Sequence, residues 1–503
     1  MKWNWFLAPL LALLSTFLTA QPVIEWQRSM GGSDVDQAYS VQQTNDGGFI
    51  VGGVTSSTDG DITEVHGDGD YWVVKFSSSG QMEWQHSYGG SGYDALDEIF
   101  QTSDGGFIAA GNSSSSDGDV TMNHGGRDFW VIKLSETGSI EWERSYGGSG
   151  DDWFHSLTFT DNGYVLSGGT GSNDGDLVFG GAVSLGGYWV LELNSIGDII
   201  WQKSYGGWNA QSVQQTSDGG FIVGGDRMVS GNVTDFWVLK LNNTGELEWD
   251  ASFGYAGADQ LRRVRQTQDG GYAILGYVYE GTSNGFYGVC DGWIIKLNAG
   301  GELEWDRPLG GTDADYTYDM QLTNDGGYIC IGITSSLDLD CIGNEADGSL
   351  WVLKLDATGE PEWSNFMGGS AYDFGFAVQQ TTDQGFIVAG DSQSSDGDHI
   401  VNQGGADLWV VKLSPENVGV TENEELVSFQ IFPNPASDQI TLTMENGITG
   451  SSYSIRDQMG RTVMIGSLSA HTRTLNIKDL KEGIYSIEVS SVLGRVTERF
   501  VKE

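Results

Sequence analysis

Short runs rich in aromatic and β-branched residues follow one another along this chain, each broken by a Gly-containing turn. In residues 99–148 the order is plain. A run ending in FQT meets the turn DGG, and FIAAG follows. Then come a polar acidic loop, the run FWVIKL, a second turn and SIEWERSYGG. Runs of this length and composition, bounded by Gly, predict four β-strands, and no amphipathic helix pattern occurs anywhere.

The same order recurs seven times. A Trp after a hairpin turn stands at positions 26, 84, 142, 201, 249, 305 and 363. A second Trp opens the third strand at 72, 130, 189, 237, 293, 351 and 409. The Asp that begins the DGG-type turn stands at 46, 104, 161, 218, 269, 325 and 383. A period near 58 residues with four short strands per unit predicts radially arranged four-stranded blades. The chain opens on a fourth strand (24–30) and reaches a last third strand at 408–413. The prediction is therefore an all-β, seven-bladed β-propeller over 21–413, closed by its N-terminal strand. Spacing inside the hairpins supports this. Lys75, Lys133, Lys240, Lys296 and Lys354 each precede a Glu by eight residues, across a three-residue turn ending in Gly, which predicts Lys opposite Glu. Unit three has Glu192 and Ile200 instead. Lys412 lacks a downstream Glu and Glu25 lacks an upstream Lys, so closure would pair them.

Composition then narrows the function. The 503 residues carry a net charge of −45, with 15 basic against 58 acidic residues in 21–418. That balance argues against nucleic acid or an anionic membrane as partner, since both need basic patches. The N-terminus, MKWNWFLAPLLALLSTFLTAQ, reads as a signal peptide over 1–20, and no later segment is apolar enough to span a bilayer. Three cysteines (Cys290, Cys330, Cys341) allow one pair and leave one thiol.

The repeating pattern of GGS, Asp, DGG-aromatic, D-aromatic-x-x-K-L and a Gly turn resembles the SBBP type of seven-bladed propeller repeat. After a polar linker (414–428), residues 429–503 predict a small Ig-like β-sandwich. Their motifs Phe432-Pro433-Asn434-Pro435, Asp457 with Gly460-Arg461, and Leu480 with Gly483-Ile484-Tyr485 resemble the C-terminal sorting domain of the type IX secretion system. The resemblance implies a Bacteroidetes-like origin, the type IX machinery as partner, and passage to the outer cell surface or beyond. It also implies removal of the tail, with the cargo released or anchored.

Two sets of residues stand out as candidate chemistry. The first is acid: D-G-D-x8-D occurs as Asp59, Asp61, Asp70, as Asp117, Asp119, Asp128, and as Asp396, Asp398, Asp407, beside crossover aspartates such as Asp36, Asp94 and Asp152. Alternating carboxylates on a Gly loop suit a hard cation such as Ca²⁺. The same residues also build turns, their side chains taking nearby backbone N–H groups. The second set is where the repeat breaks. Unit four has Trp208 in place of its crossover motif, and unit five reads LRRVRQT, putting Arg262, Arg263 and Arg265 on the innermost strand. Guanidinium forks and aromatics suit an acidic glycan or protein ligand, whereas the bland role of the arginines is to neutralise the acid around them. The expectation is a monomeric, surface-attached binding or adhesion module. A polysaccharide-active enzyme and a structural surface-layer component are the alternatives; the six His are scattered and no nucleophile motif is present.

Overall fold

The computed structural model describes residues 21–177, 187–230, 233–279, 288–398 and 401–416. In the C-terminal part it describes 429–444, 451–456, 461–468, 472–478, 480–481, 483–491 and 494–503. The expected signal peptide and residues 417–428 of the expected linker lie outside these. Two compact units emerge, divided between Val418 and Gly419.

The first unit is all-β and propeller-like, its described residues holding seven four-stranded antiparallel sheets and one 3-10 turn, Leu339–Cys341. The sheets are numbered by their first strands: Asp36–Gln43, Asp94–Gln101, Asp152–Phe159, Ala210–Gln215, Gln260–Gln266, Asp315–Leu322 and Asp373–Gln380. Sheets 1 to 6 are built from consecutive strands. In sheet 7 the fourth strand is Ile24–Met30, which pairs antiparallel with Asp407–Leu413. Lys412 Nζ lies 3.4 Å from Glu25 as a result.

Apolar side chains fill the spaces between sheets. Tyr71 and Val73 of sheet 1 pack with Phe107, Trp130 and Ile132 of sheet 2. Val41, Phe49 and Trp72 of sheet 1 pack with Ala377, Ile387 and Leu408 of sheet 7. The third-strand Trp is buried in all seven sheets. Its Nε1–H donates to the residue following the other Trp, as from Trp72 to Gln85 (2.6 Å) and from Trp237 to Asp250 (2.9 Å). Burying one large apolar side chain contributes about 1.5–3 kcal/mol. A cross-strand ion pair contributes ~0.2–1 kcal/mol. Aromatic packing therefore holds the sheets, and the ion pairs set register.

That register differs from the simple expectation. A bulge after each hairpin places Lys75 opposite Trp84 and leaves Glu83 outside the pairing. The Glu83 carboxylate still reaches Lys75 Nζ at 3.1 Å, and Asp46 of the DGG turn joins at 3.0 Å. Six lysines are clamped in this way. In unit three Glu192 instead accepts from Thr160 and Asn162. The cysteines are free and buried.

The second unit contains two antiparallel sheets around a core that includes Ile440, Leu442, Ile455, Ile487 and Phe500. No helix among the described residues is long and apolar enough to cross a membrane.

Candidate functional site

The acidic loops act on the crossovers that enter their own sheets. The first Asp of the D-G-D loop accepts a backbone N–H from the third crossover residue: Asp59 from Ser33, Asp117 from Ser91 and Asp396 from Ser370, all at 2.7 Å. The second Asp accepts from the glycine two residues earlier, Asp61 from Gly31 and Asp119 from Gly89 at 3.2 Å each. The crossover Asp completes the staple: Asp36 takes Gly32 N at 2.7 Å together with the Thr55 and Ser57 hydroxyls. These contacts explain why unit four lacks the GGSxxD crossover and the D-G-D loop together, since each satisfies the other. Asp398 lines a cleft of about 480 Å³ beside Ser349, which replaces the buried Asp at that junction.

The third Asp of the pattern closes the end of its own loop, Asp128 accepting the His124 N–H at 2.7 Å, while its other oxygen faces the crossover into the next unit. Asp70 and Asp94 are both fully buried. A side chain on Gly89 would meet Asp70 Oδ1 and Asp94 Oδ2, each at 2.6 Å, so the glycine leaves the room the two carboxylates need. Asp128 with Asp152 at Gly147, and Asp407 with Asp36 at Gly31, repeat the arrangement. His66 Nδ1 contacts Asp70 Oδ2 at 2.9 Å and His124 Nδ1 contacts Asp128 Oδ2 at 2.9 Å; at the third junction Gln403 donates to Asp407 through its backbone N–H and to Asp61 through its side chain, both at 2.7 Å. Burial raises the Asp70 carboxyl and the Asp94 charge adds to this, against the His66 hydrogen bonds. Among the described residues no three His, Cys, Asp or Glu side chains are arranged to hold a metal ion.

The arginines lie at the centre of the unit. The first strand of every sheet carries a β-bulge, and the seven residues left outside the pairing are Tyr39, Asp97, His155, Gln211, Arg262, Tyr318 and Phe376. Bulges re-aim side chains and concentrate beside functional sites. Here they bring neighbouring sheets into contact at one level. Tyr318 and Phe376 lie 5.2 Å apart, as do Phe376 and Tyr39, and the Arg262 guanidinium sits 5.7 Å from Tyr318. The next residues along form a belt that ties sheet to sheet. Ser40, Ser156 and Ser212 accept Ile99, Val213 and Val264 N–H, and Glu98 and Asp319 accept Leu157 and Val378 N–H. Beyond the belt, a cavity of about 210 Å³ is lined by residues from all seven first strands.

Arg263 and Arg265 belong to this belt and cavity. Arg263 Nε donates to Asp319 at 2.8 Å, and its Nη1 lies 3.6 Å from Glu98. Burial would lower the Arg263 guanidinium, but Asp319 and Glu98 outweigh it and raise its pKa. Arg265 bonds Ser212 and Val264 O and lies 4.0 Å from Asp319. Arg262 differs. It donates to the Tyr277 hydroxyl at 2.7 Å and to Gln260 at 3.3 Å, its Nε has no hydrogen-bond partner, and no carboxylate among the described residues forms an ion pair with it. Trp208 stands apart, at the crossover into sheet 4, 49% exposed. Burial pushes the Asp97 carboxyl up to about 8, with Glu98 adding and Arg263 opposing. Burial, with Arg262 and Arg263, pushes His155 down to about 3. Asp97, His155, Glu98 and Asp319 were not singled out from sequence. Their only signal is alignment with Arg262 and Arg263 in the other units.

In the second unit, Asn434 brackets the last strand: its amide donates to Arg499 O at 3.0 Å and its oxygen accepts Val501 N–H at 2.9 Å. Pro433 and Pro435 flank it, exposed. Tyr485 is buried, donates to Lys481 O at 2.9 Å and stacks on Phe500 at 5.6 Å, two residues after Gly483. Gly460 lies outside the described residues.

No curated protein matches the chain. Solved structures that align include PorZ, described as an essential bacterial surface component of the type-IX secretion system of Porphyromonas gingivalis. It shares 12% identity and a TM-score of 0.25, over 93% of this chain and 81% of that one. The extracellular domain of the putative one component system BT4673 from B. thetaiotaomicron aligns with 11% identity and a TM-score of 0.24, over 93% and 80%. BBS1N, solved in complex with ARL6DN, aligns with 12% identity and a TM-score of 0.42, over 78% and 96%. The family model of the secretion system C-terminal sorting domain matches residues 430–503. The chain thus carries a type IX sorting tail and is a protein delivered to the cell surface or outside.

Proposed function

We propose that this is an exported binding module: a closed seven-bladed propeller, attached to the cell surface or released, that holds its ligand at the mouth of the central channel. One observation carries the reading. The seven bulged residues at that mouth are chemically unlike, whereas the buried third-strand Trp recurs in every sheet and the lysine clamp in six. A ring needed only for support has no use for Tyr, Asp, His, Gln, Arg, Tyr and Phe at equivalent positions, and divergence from a repeat's own rule marks function. Closure is supported by the pairing of Ile24–Met30 with Asp407–Leu413 and by the packing of sheet 7 on sheet 1.

The crossover face around the mouth also bears exposed Tyr93, Trp208, Tyr279 and Tyr372, side chains suited to adhesion. The test is binding of the mature chain to immobilised glycans and outer-surface proteins, comparing Trp208→Ala and Tyr372→Ala with Met82→Ala on the outer hairpin. Loss of at least tenfold from the crossover-face variants, with Met82→Ala unchanged, is expected. Equal binding by all three would move the ligand elsewhere. Release of product from any polysaccharide in the same panel would replace binding by catalysis.

A further inference from the structure

Three features at the channel mouth, taken together, specify a ligand more narrowly than the binding reading on which they rest. The first is a guanidinium without an ion pair. Arg263 and Arg265 are tied to Asp319 and Glu98, but Arg262 lies over the Tyr277 ring at 5.2 Å and the Tyr318 ring at 5.7 Å. Its Nη2 is committed to Tyr277 and Gln260, and its buried Nε is left without a partner. Two tyrosines and a glutamine orient the fork without neutralising it. A buried donor left unmade costs about 1–3 kcal/mol, so a position that retains one is suited to a ligand that fills it.

The second feature is charge. In a protein body this acidic, Arg263 and Arg265 share the central cavity with Glu98 and Asp319, while Arg262, with Asp226 as the acid its charge acts on, forms no ion pair among the described residues. Burial pushes the Asp97 carboxyl up to about 8 and the His155 imidazole down to about 3. Arg262 is thus a guanidinium without a paired carboxylate in a negative body, and an anion is the ligand it favours.

The third feature is the division of the ring. From Arg262 onward the wall is aromatic through Tyr318, Phe376 and Tyr39. The opposite side is polar. Asp97 is held by the Asn112 amide at 2.6 Å, and His155 Nε2 has no partner. An apolar wall facing hydroxyl partners, with a carboxylate fork between them, suits a pyranose ring bearing an acid group. An aspartyl or glutamyl side chain would use the fork and leave both walls idle.

We propose that Arg262 binds the carboxylate of a uronic acid residue, stacked against Tyr318, Phe376 and Tyr39, with its hydroxyls toward Asp97 and His155. The experiment is titration calorimetry on the mature chain with galacturonate, its neutral counterpart galactose, and N-acetyl-aspartate. Arg262→Gln and Arg262→Lys are measured alongside, with thermal midpoints to confirm folding. Galacturonate should bind at least tenfold more tightly than galactose or N-acetyl-aspartate and weaken with added salt. Both Arg262 variants should lose at least tenfold, the lysine because it lacks the planar fork. The ligand comparison needs only the unaltered chain, so it decides even if a variant fails to fold. Galactose bound as tightly as galacturonate overturns the anion site and leaves the binding module standing. N-acetyl-aspartate bound as tightly overturns the sugar and assigns the site to acidic peptide. No binding here, with glycan or protein binding retained on the immobilised panel, overturns this inference alone; failure of both removes the module as well.

Discussion

At the scale of single residues, the chain spends its acids in two distinct ways. Asp46 and its equivalents at the DGG turns sit beside a clamped lysine and the hydrogen bonds of their own turn, which hold the Asp46 carboxyl down at about 2 despite some burial. Asp391 is the reverse case. It is fully buried, holds one hydrogen bond from Gln37 at 2.9 Å, and is pushed up to about 7 by burial, with the Asp373 charge adding. The folded chain therefore keeps this proton to about pH 7, whereas the unfolded chain releases it near the ordinary carboxylate value of about 4. The folded state binds more protons across that window. Stability from this group is complete below about pH 4 and is lost as pH rises through 7. Asp391→Asn keeps the Gln37 bond and removes the titration. The variant should be more stable than the parent at pH 8.5 by roughly 1–3 kcal/mol and should show a flatter decline of midpoint with pH. Midpoints that fall in parallel for both proteins from pH 5 to 8.5 would overturn this account. Nothing in the sequence marked Asp391, because its neighbours SSDGD carry the visible acid. Arg262 was visible as one of three clustered arginines, yet which of them lacks a counter-charge depends on Glu98 and Asp319, which arrive from two other sheets.

At the scale of elements, much was legible and its meaning only in part. Strand order, turn glycines and the eight-residue Lys–Glu spacing all follow from short-range pattern. The bulges do not, because Tyr39, Asp97, His155, Gln211, Arg262, Tyr318 and Phe376 share no residue type that would announce them. The recurring QQT likewise reads as polar strand end. In space, Gln42 accepts Gln101 N–H at 2.6 Å and Gln101 accepts Asn45 N–H at 2.8 Å, a reciprocal bracket between sheets 1 and 2. The D-G-D loops were legible as acidic and Gly-bent, with Ca²⁺ one reading of them. Asp59, Asp61, Asp117 and Asp119 accept crossover amides, and the third Asp lies at the junction with the next unit. A carboxylate already accepting backbone N–H groups gains little from a cation at the same oxygens. We therefore expect the thermal midpoint of the mature chain in EDTA and in millimolar Ca²⁺ to agree within about 2 °C, since a bound ion at a hundredfold excess over its Kd would add about 2.7 kcal/mol. A rise well beyond that would make the carboxylate pairs at Gly31, Gly89 and Gly147 cation sites.

At the scale of the whole molecule, the question is what the first strand does. Each sheet packs on its neighbours through one apolar layer, so an open row of sheets would leave an uncovered face at both ends, and a ring leaves none. The strand Ile24–Met30 is the element on which that difference rests. It supplies buried Met30, the Trp26 ring 5.5 Å from Phe49, and the Gln27 oxygen that accepts Trp409 Nε1–H at 2.8 Å. It also supplies Glu25 to Lys412, and the seventh-to-first contact repeats the glutamine bracket, with Gln379 accepting Gln43 N–H at 2.7 Å and Gln43 accepting Thr382 N–H at 2.9 Å. A chain beginning at Gly31 loses all but the last of these and leaves a three-stranded edge with its apolar layers exposed. A closed ring would join the most distant parts of the sequence and unfold as one cooperative unit. On that reading, the first unit with this strand in place should melt in a single transition. The chain beginning at Gly31 should melt at least 10 °C lower or aggregate, because buried Met30 and half-buried Ile24 and Trp26 are lost together with the strand pairing that covers sheet 7. A milder comparison checks the same junction without truncation: Lys412→Met should cost as much stability as Lys296→Met, since both ammonium groups sit in the same Asp–Glu clamp. If the shortened chain melts with the full one, or if Lys412→Met is silent where Lys296→Met is not, the first strand does not close the ring.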